Sequence, residues 1–218
     1  MMDERKLSGR QIQLILGILL GIFLLTYLKI SLSAQTVGGR CEGCEAVLEY
    51  GSQKLSSIDT LPEFKSHSDK MLITGTVYEL DGSTPAANVI IYAYHTNEKG
   101  IYPTKGDEKG WARRHGYLRG WIKTDSKGQY AFYTFKPASY PSRTEAAHVH
   151  ITVKESDKSE YWIDSIEFEG DPLLTPEKIS QKRQRGGSGI VSLSKNGDGL
   201  ILCKKDIILG KNIPNYNR

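Results

Sequence analysis

Two histidines, His148 and His150, stand one residue apart in the run Ala147-His148-Val149-His150-Ile151, whose β-branched members predict a strand. Residues two apart on a strand project from one face, so both imidazoles reach a single point above it, which is metal-ligand spacing. Alone, the pair also fits a plain exposed strand, and a metal site needs partners. Two of the twelve tyrosines are placed to supply them. Tyr140 lies in Lys136-Pro137-Ala138-Ser139-Tyr140-Pro141, a proline-bounded segment just upstream of the histidines, and Tyr102 follows Gly100-Ile101. Phenolate is a hard anionic donor suited to a trivalent ion, whereas zinc prefers thiolate or imidazole and calcium prefers carboxylate or carbonyl oxygen. Two tyrosines and two histidines point to ferric iron. A zinc hydrolase built on the histidines lacks a carboxylate at companion spacing and leaves the tyrosines unexplained.

Strands must carry these residues. Short β-branched or aromatic runs occur at Leu72 to Leu80, Val89 to His95, Trp121 to Thr124, Gln129 to Phe135, Val149 to Val153, Trp162 to Phe168, Ile190 to Leu193 and Leu200 to Cys203. Turn signals such as Asp81-Gly82, Ser126-Lys127-Gly128 and Asn196-Gly197-Asp198-Gly199 separate many of them. No stretch after residue 34 keeps a 3.6-residue apolar period over three turns. The expected fold is all-β, a β-sandwich with long irregular loops, spanning residues 71–218. The longest loop, Thr96 to Gly120, exceeds what a connection needs and is expected to carry function. Residues 35–70, polar and Ser-rich, are expected to form an extended arm with little core of its own.

Residues 1–34 read as an address. Arg5, Lys6 and Arg10 precede an apolar run from Ile12 to Leu28, and small residues Ser31, Ser33 and Ala34 sit where a signal peptidase would cut. The run is long for a cleaved signal and at the short edge for a spanning helix, so a signal peptide and a retained membrane anchor both stand, with cleavage favoured. Either places the body outside the cytoplasm, periplasmic or secreted, and the membrane is a partner only through this segment. In that setting Cys41-x-x-Cys44 is expected to be a local disulfide rather than a redox dithiol or half a zinc site, with Cys203 the alternative partner. A formal net charge of +4 gives no basis for a nucleic-acid partner. The one basic cluster, Lys178 to Arg185, is expected to be a solvated loop.

The stretch Gly75 to His150 resembles the intradiol ring-cleavage dioxygenases, ferric enzymes that open catechols between their two hydroxyls. The matching pieces come in order: Gly75-Thr76-Val77 with Asp81-Gly82, Gly100-Ile101-Tyr102, Leu118-Arg119-Gly120, and Thr124-Asp125 with Gly128-Gln129-Tyr130-Ala131-Phe132. Then follow Lys136-Pro137 to Tyr140-Pro141, Ala147-His148-Val149-His150 and Gly170-Asp171-Pro172. The resemblance implies Fe(3+) held by Tyr102, Tyr140, His148 and His150, with a catechol-type substrate and O2 as partners and a muconate-type diacid as product. It implies that Tyr140 is the axial ligand that leaves when a catechol dianion binds, with His150 the other axial ligand and Tyr102 and His148 equatorial. Where the family usually carries an arginine near the first histidine, this chain has Glu145, and Arg143, two residues earlier, is the candidate substitute. Tyr117, also in the long loop, rivals Tyr102. A different class stays open, because Gly75-Thr76-Val77 followed by Pro85-Ala86-Ala87-Asn88-Val89 also resembles prealbumin-like modules that bind without catalysis.

Overall fold

The computed structural model of the chain describes residues 36–216 together with Arg10 and Gln13. The chain divides into two units at Gln35, the second being Thr36–Arg218. The export or anchor segment expected at 1–34 falls almost wholly outside the described residues, and among those described no helix is long and apolar enough to cross a membrane.

The second unit is two sheets packed face to face. One is built on β1 (Ile58–Thr60), β5 (Gln129–Phe135), β2 (Lys70–Tyr78), β10 (Ile201–Lys204) and β9 (Leu193–Lys195), in that order, with β11 (Ile207–Ile208) also pairing with β2. The other runs β4 (Arg119–Lys123), β3 (Ile90–His95), β6 (His148–Lys154), β7 (Tyr161–Phe168) and β8 (Ile190–Val191). Inward residues of each strand, including Met71, Ile73 and Phe132 on one side and Ile91, Ile122, Val149, Ile151 and Val153 on the other, form one buried core. This is the period-2 burial that half-covered strands require. Within β2, Gly75 is needed because a Cβ there would overlap the Lys205 carbonyl.

The eight expected strand runs all appear, within a few residues. The segment 36–70 does not behave as the expected arm with little core. It contributes a 3-10 helix, Cys44–Leu48, whose Cys44, Ala46 and Val47 are buried, and β1, which pairs in parallel with β5. Ala46 and Val47 pack with Tyr92, Tyr94, Trp111 and Trp121 on the outer face of the second sheet. The N-terminal segment lies against β6 near the outward Thr152, only 5% exposed, while the outward His148, 6% exposed, lies under the Tyr140 ring. The basic cluster is a mixture rather than a solvated loop. Lys178 lies in a helix, Pro176–Ser180, while Arg185 is 1% exposed, its guanidinium 3.5 Å from the Trp162 ring centre and bonded to the Gly38 and Trp162 carbonyls. Cys41 and Cys44 form the expected disulfide, and Cys203 is a buried thiol on β10.

Candidate metal centre

His148 and His150 open β6 and face outward from the core, as alternation on a strand demands. The β6–β7 register slips between Val149 and Ile151, which pair with Ile166 and Ile163, so two residues of β7, Asp164 and Ser165, stand against His150 alone. Such an irregularity re-aims side chains. Here it brings the Ser165 hydroxyl to 3.4 Å from Nδ1 of His150.

The tyrosines arrive on loops that are tied to each other. Asn97 accepts the Gly100 amide and its side chain accepts those of Lys99 and Ile101, curling the start of the long loop. Thr96 donates to the Ala138 carbonyl at 2.6 Å, and the Ala138 amide returns a bond to Asn97 at 3.3 Å. Gly100 has φ 73° and presses on the Ser139–Tyr140 backbone so closely that a Cβ would overlap the Ser139 carbonyl. Only glycine meets both demands. The result is that Tyr102 and Tyr140 meet above the histidines.

The four polar tips converge. The Tyr102 hydroxyl is 2.5 Å from that of Tyr140 and 2.8 Å from Nε2 of His150. The Tyr140 hydroxyl is 3.2 Å from Nε2 of His148 and 3.3 Å from that of His150, and the two Nε2 atoms are 2.9 Å apart. Nδ1–H of His148 donates to the Ala146 carbonyl at 2.7 Å, which leaves a lone pair on its Nε2 aimed inward. Two imidazole nitrogens at contact distance, with two phenols against them, make a donor set that a cation satisfies and two neutral rings alone do not. Among the described residues no group of three or more His, Cys, Asp or Glu is placed to hold a metal ion, so the phenols are indispensable to the set. That composition fits a ferric ion and not a zinc hydrolase.

Burial shapes the ionisation of these groups. It drives the His150 pKa well below its ordinary value, with His148, His115 and His95 adding to the effect, so the ring is neutral and able to ligate. Burial also raises Tyr102, helped by the hydrogen bond to Tyr140. Tyr140 is raised by burial and by the Glu145 carboxylate, against the lowering effect of the Tyr102 hydrogen bond. A bound trivalent ion reverses this logic by favouring phenolate.

Of the sequence candidates, Tyr102, Tyr140, His148 and His150 are brought together. Arg143 is not. It is exposed on a turn at φ 52°, its amide bonded to the Tyr140 carbonyl. Tyr117, the rival to Tyr102, points elsewhere and donates to Glu63. Three neighbours escaped the sequence reading: Ser165, Tyr94 and His115. Tyr94 pairs with His150 across β3 and β6 and its ring lies over the imidazole, a relation that strand register could have revealed. Nothing in the sequence signals His115. A cavity of about 280 Å³ between residues 40–43 and the sheet reaches His150, Tyr94 and Ser165. Larger clefts beside Glu155 and along Gly75 contain none of the four donors.

Known proteins resemble this chain in sequence and in fold. Residues 56–199 match the dioxygenase family model, Dioxygenase_C. The chain is 26% identical over 144 residues to the protocatechuate 3,4-dioxygenase beta chain of Burkholderia cepacia, covering 61% of each chain. It is 32% identical over 136 residues to catechol 1,2-dioxygenase 1 of Acinetobacter lwoffii, covering 55% of this chain and 42% of that one. The chain thus spans roughly half the length of the curated relatives it matches. Among solved structures, catechol 1,2 dioxygenase of Acinetobacter radioresistens superposes with TM-score 0.56 at 17% identity, over 77% of this chain and 60% of that one. The dioxygenase domain of a carbohydrate-binding fusion from Streptomyces sp. SirexAA-E does so with TM-score 0.52 at 17% identity, over 74% and 94%. At such identity the structures speak for the shared β-sandwich alone. The family match covers well over half of the sequence and includes all four converging donors, and on that ground the chain belongs to the intradiol dioxygenase family.

Proposed function

We propose that this chain is an exported ferric dioxygenase that opens a catechol-type ring between its two hydroxyl-bearing carbons. The observation that carries the reading is the convergence of Tyr102, Tyr140, His148 and His150 on one point. These four would hold the iron, the imidazoles through Nε2 and the phenols as phenolates. Ferric iron, when bound, supplies the Lewis acidity that takes a catechol as its dianion and makes the ring able to react with O2.

Tyr140 is the ligand suited to leave. Its ring is half-buried and borders the exposed run Pro141 to Glu145, so the side chain can turn toward solvent while its backbone stays tied to Gly100. Its phenolate accepts one catechol proton as the substrate arrives. Tyr102, packed against His150 and Tyr94, stays. In the overall reaction the bond between the two oxygen-bearing carbons and the O–O bond break. Each carbon gains one oxygen atom, giving a muconate-type diacid with no external reductant.

The export reading is supported by the Cys41–Cys44 disulfide, which suits an oxidising compartment. Oxygen uptake against a panel of catechols tests the activity, with one O2 consumed per diacid formed. Protein that is colourless, or that carries stoichiometric zinc after expression with iron, sinks the proposal. Sequencing the mature N-terminus tests export, which predicts a start near Ala34 or Gln35.

A further inference from the structure

His150 is braced from behind by a continuous set of contacts that ends at the disulfide. The Tyr94 ring lies on the His150 imidazole with centroids 4.5 Å apart and planes 14° from parallel. Tyr94 also stacks on His115, at 3.9 Å and 7°, with the Tyr92 and Tyr102 rings farther off at 5.4 and 5.7 Å. His115 is fixed in turn by its Nδ1, 2.9 Å from the Tyr92 hydroxyl, and by the Trp111 ring at 5.3 Å. Gly43, the middle of the Cys41–Cys44 turn, closes the set. A Cβ placed on it would lie 2.8 Å from Nε2 of His115 and 3.2 Å from Trp111, and its φ of 84° is one that other residues rarely adopt.

The turn is itself clamped to the elements that carry the stack. Glu42 pairs with Arg114. Glu49 accepts the Trp111 amide at 2.8 Å and pairs with Arg119 at 2.6 Å. Trp121 donates its indole N–H to the Ala46 carbonyl at 3.0 Å. A disulfide across a four-residue turn constrains the unfolded chain little. Its effect is local, and what it shapes locally is the surface that meets His115.

We propose that Tyr94 and His115 are positioning residues for the metal ligand His150, and that the disulfide-stapled turn Cys41–Cys44 holds them in register. Groups that orient a ligand imidazole raise the affinity of the site for its metal without touching the metal. A flat ring confined between His115 and the imidazole restricts rotation of His150 about its side-chain bonds, while Ser165 addresses its Nδ1. The inference rests on the ferric site proposed above.

Release of ferric ion from the full chain to excess EDTA, followed by loss of the visible band, tests it. The variants are Tyr94→Leu, Tyr94→Phe and the double Cys41→Ser/Cys44→Ser, each checked by far-UV circular dichroism and by the melting midpoint of the metal-free protein. Tyr94→Leu and the disulfide-free variant are expected to release iron about tenfold faster or more, with a shifted band. Tyr94→Phe, which keeps the ring, should stay within about twofold of wild type. A stack that serves only the fold would lower the metal-free melting midpoint and leave release and band unchanged. Unchanged release in either folded loss variant overturns the proposal, as does a Tyr94→Phe that behaves like Tyr94→Leu. If Tyr94→Leu does not fold, the disulfide-free variant decides. Wild-type protein that takes up no ferric ion overturns the proposed function, and this inference with it; wild type that binds iron beside unaffected variants overturns this inference alone.

Discussion

The hydroxyls of Tyr102 and Tyr140, 38 residues apart in sequence, meet at 2.5 Å. Two phenolates cannot share that distance without a proton or a cation between them. The first prediction follows. Protein expressed with iron should hold close to one ferric ion per chain and be coloured by phenolate-to-iron charge transfer. His148→Ala and His150→Ala should each weaken iron retention by about tenfold or more. Tyr140→Phe should keep iron, change the band and lose most turnover. Tyr102→Phe should change the band both before and after a catechol is added. Metal analysis with visible spectroscopy decides, and a Tyr102→Phe spectrum identical to wild type would remove that residue from the site.

Gly100 is where the two tyrosine loops touch. Gly100→Ala forces a left-handed backbone on alanine, at about 1–2 kcal/mol, and drives its Cβ into the Ser139 carbonyl. The loops must part, so iron should be held at least about tenfold more weakly while far-UV circular dichroism stays native. Equilibrium dialysis against iron measures the loss; undiminished binding would show that the loops close by another route.

Glu145 opposes ionisation of both phenols, and ligation requires that they ionise. In Glu145→Gln that opposition is gone, the phenol pKa values fall, and iron should persist to lower pH. An acid titration of the visible band should show the midpoint displaced downward relative to wild type. A midpoint that does not move means the carboxylate does not act on the site.

His95, at the end of β3 beside Val149 of β6, is fully buried, its Nδ1 on the Thr96 carbonyl and its Nε2 on the Thr134 hydroxyl. Burial lowers its pKa from 6.5 to about 4. The unfolded chain therefore takes up a proton below pH 6.5 that the folded chain refuses until about pH 4. Its contribution is full above pH 6.5 and drains away as pH falls through that window, about 3 kcal/mol at most. Urea unfolding of metal-free protein between pH 7 and 4.5 should show the decline, and His95→Gln should flatten it.

Arg185 fastens the N-terminal segment to the second sheet through Gly38 and Trp162. Arg185→Ala should cost about 2 kcal/mol or more, seen as a lower urea midpoint at an unchanged slope. Arg185→Lys should not restore it, since an ammonium cannot stack on the indole while reaching both carbonyls.

The sheets were legible because alternation and turn chemistry survive in one dimension: Gln129 to Phe135 reads as a strand and is one, to the residue. The donors were legible for the same reason, since His148 and His150 need only strand geometry to coincide, and the tyrosines stand beside glycine and proline punctuation. What surrounds them was not. Residues 36–50 carry only one short apolar run, Ala46-Val47-Leu48, with no period to place it, yet Ala46 and Val47 are sealed against Tyr92 by partners 45 or more positions away. Arg185 looked solvated because a run of lysines and arginines hides which one finds an indole. Strands of two or three residues, Ile58–Thr60 and Ile207–Ile208, are too short to carry a period and exist because a neighbour offers an edge.

The arrangement of the thiols bears on how the chain matures. Three cysteines allow three pairings, two of which would wed Cys203 to a distant partner and wreck the sandwich. The chain avoids them by proximity and concealment. Cys41 and Cys44 are neighbours on a tight turn and can pair before any sheet exists. Cys203 is then sealed within β10 as that strand docks alongside β2, its pKa pushed up to about 12 by burial, so that it is no longer a nucleophile. A chain with an odd cysteine can trap wrong pairings under oxidising conditions that a disulfide isomerase must then correct. This one should oxidise correctly unaided, and in the finished protein its third sulfur should be invisible to alkylating reagents until the sandwich opens.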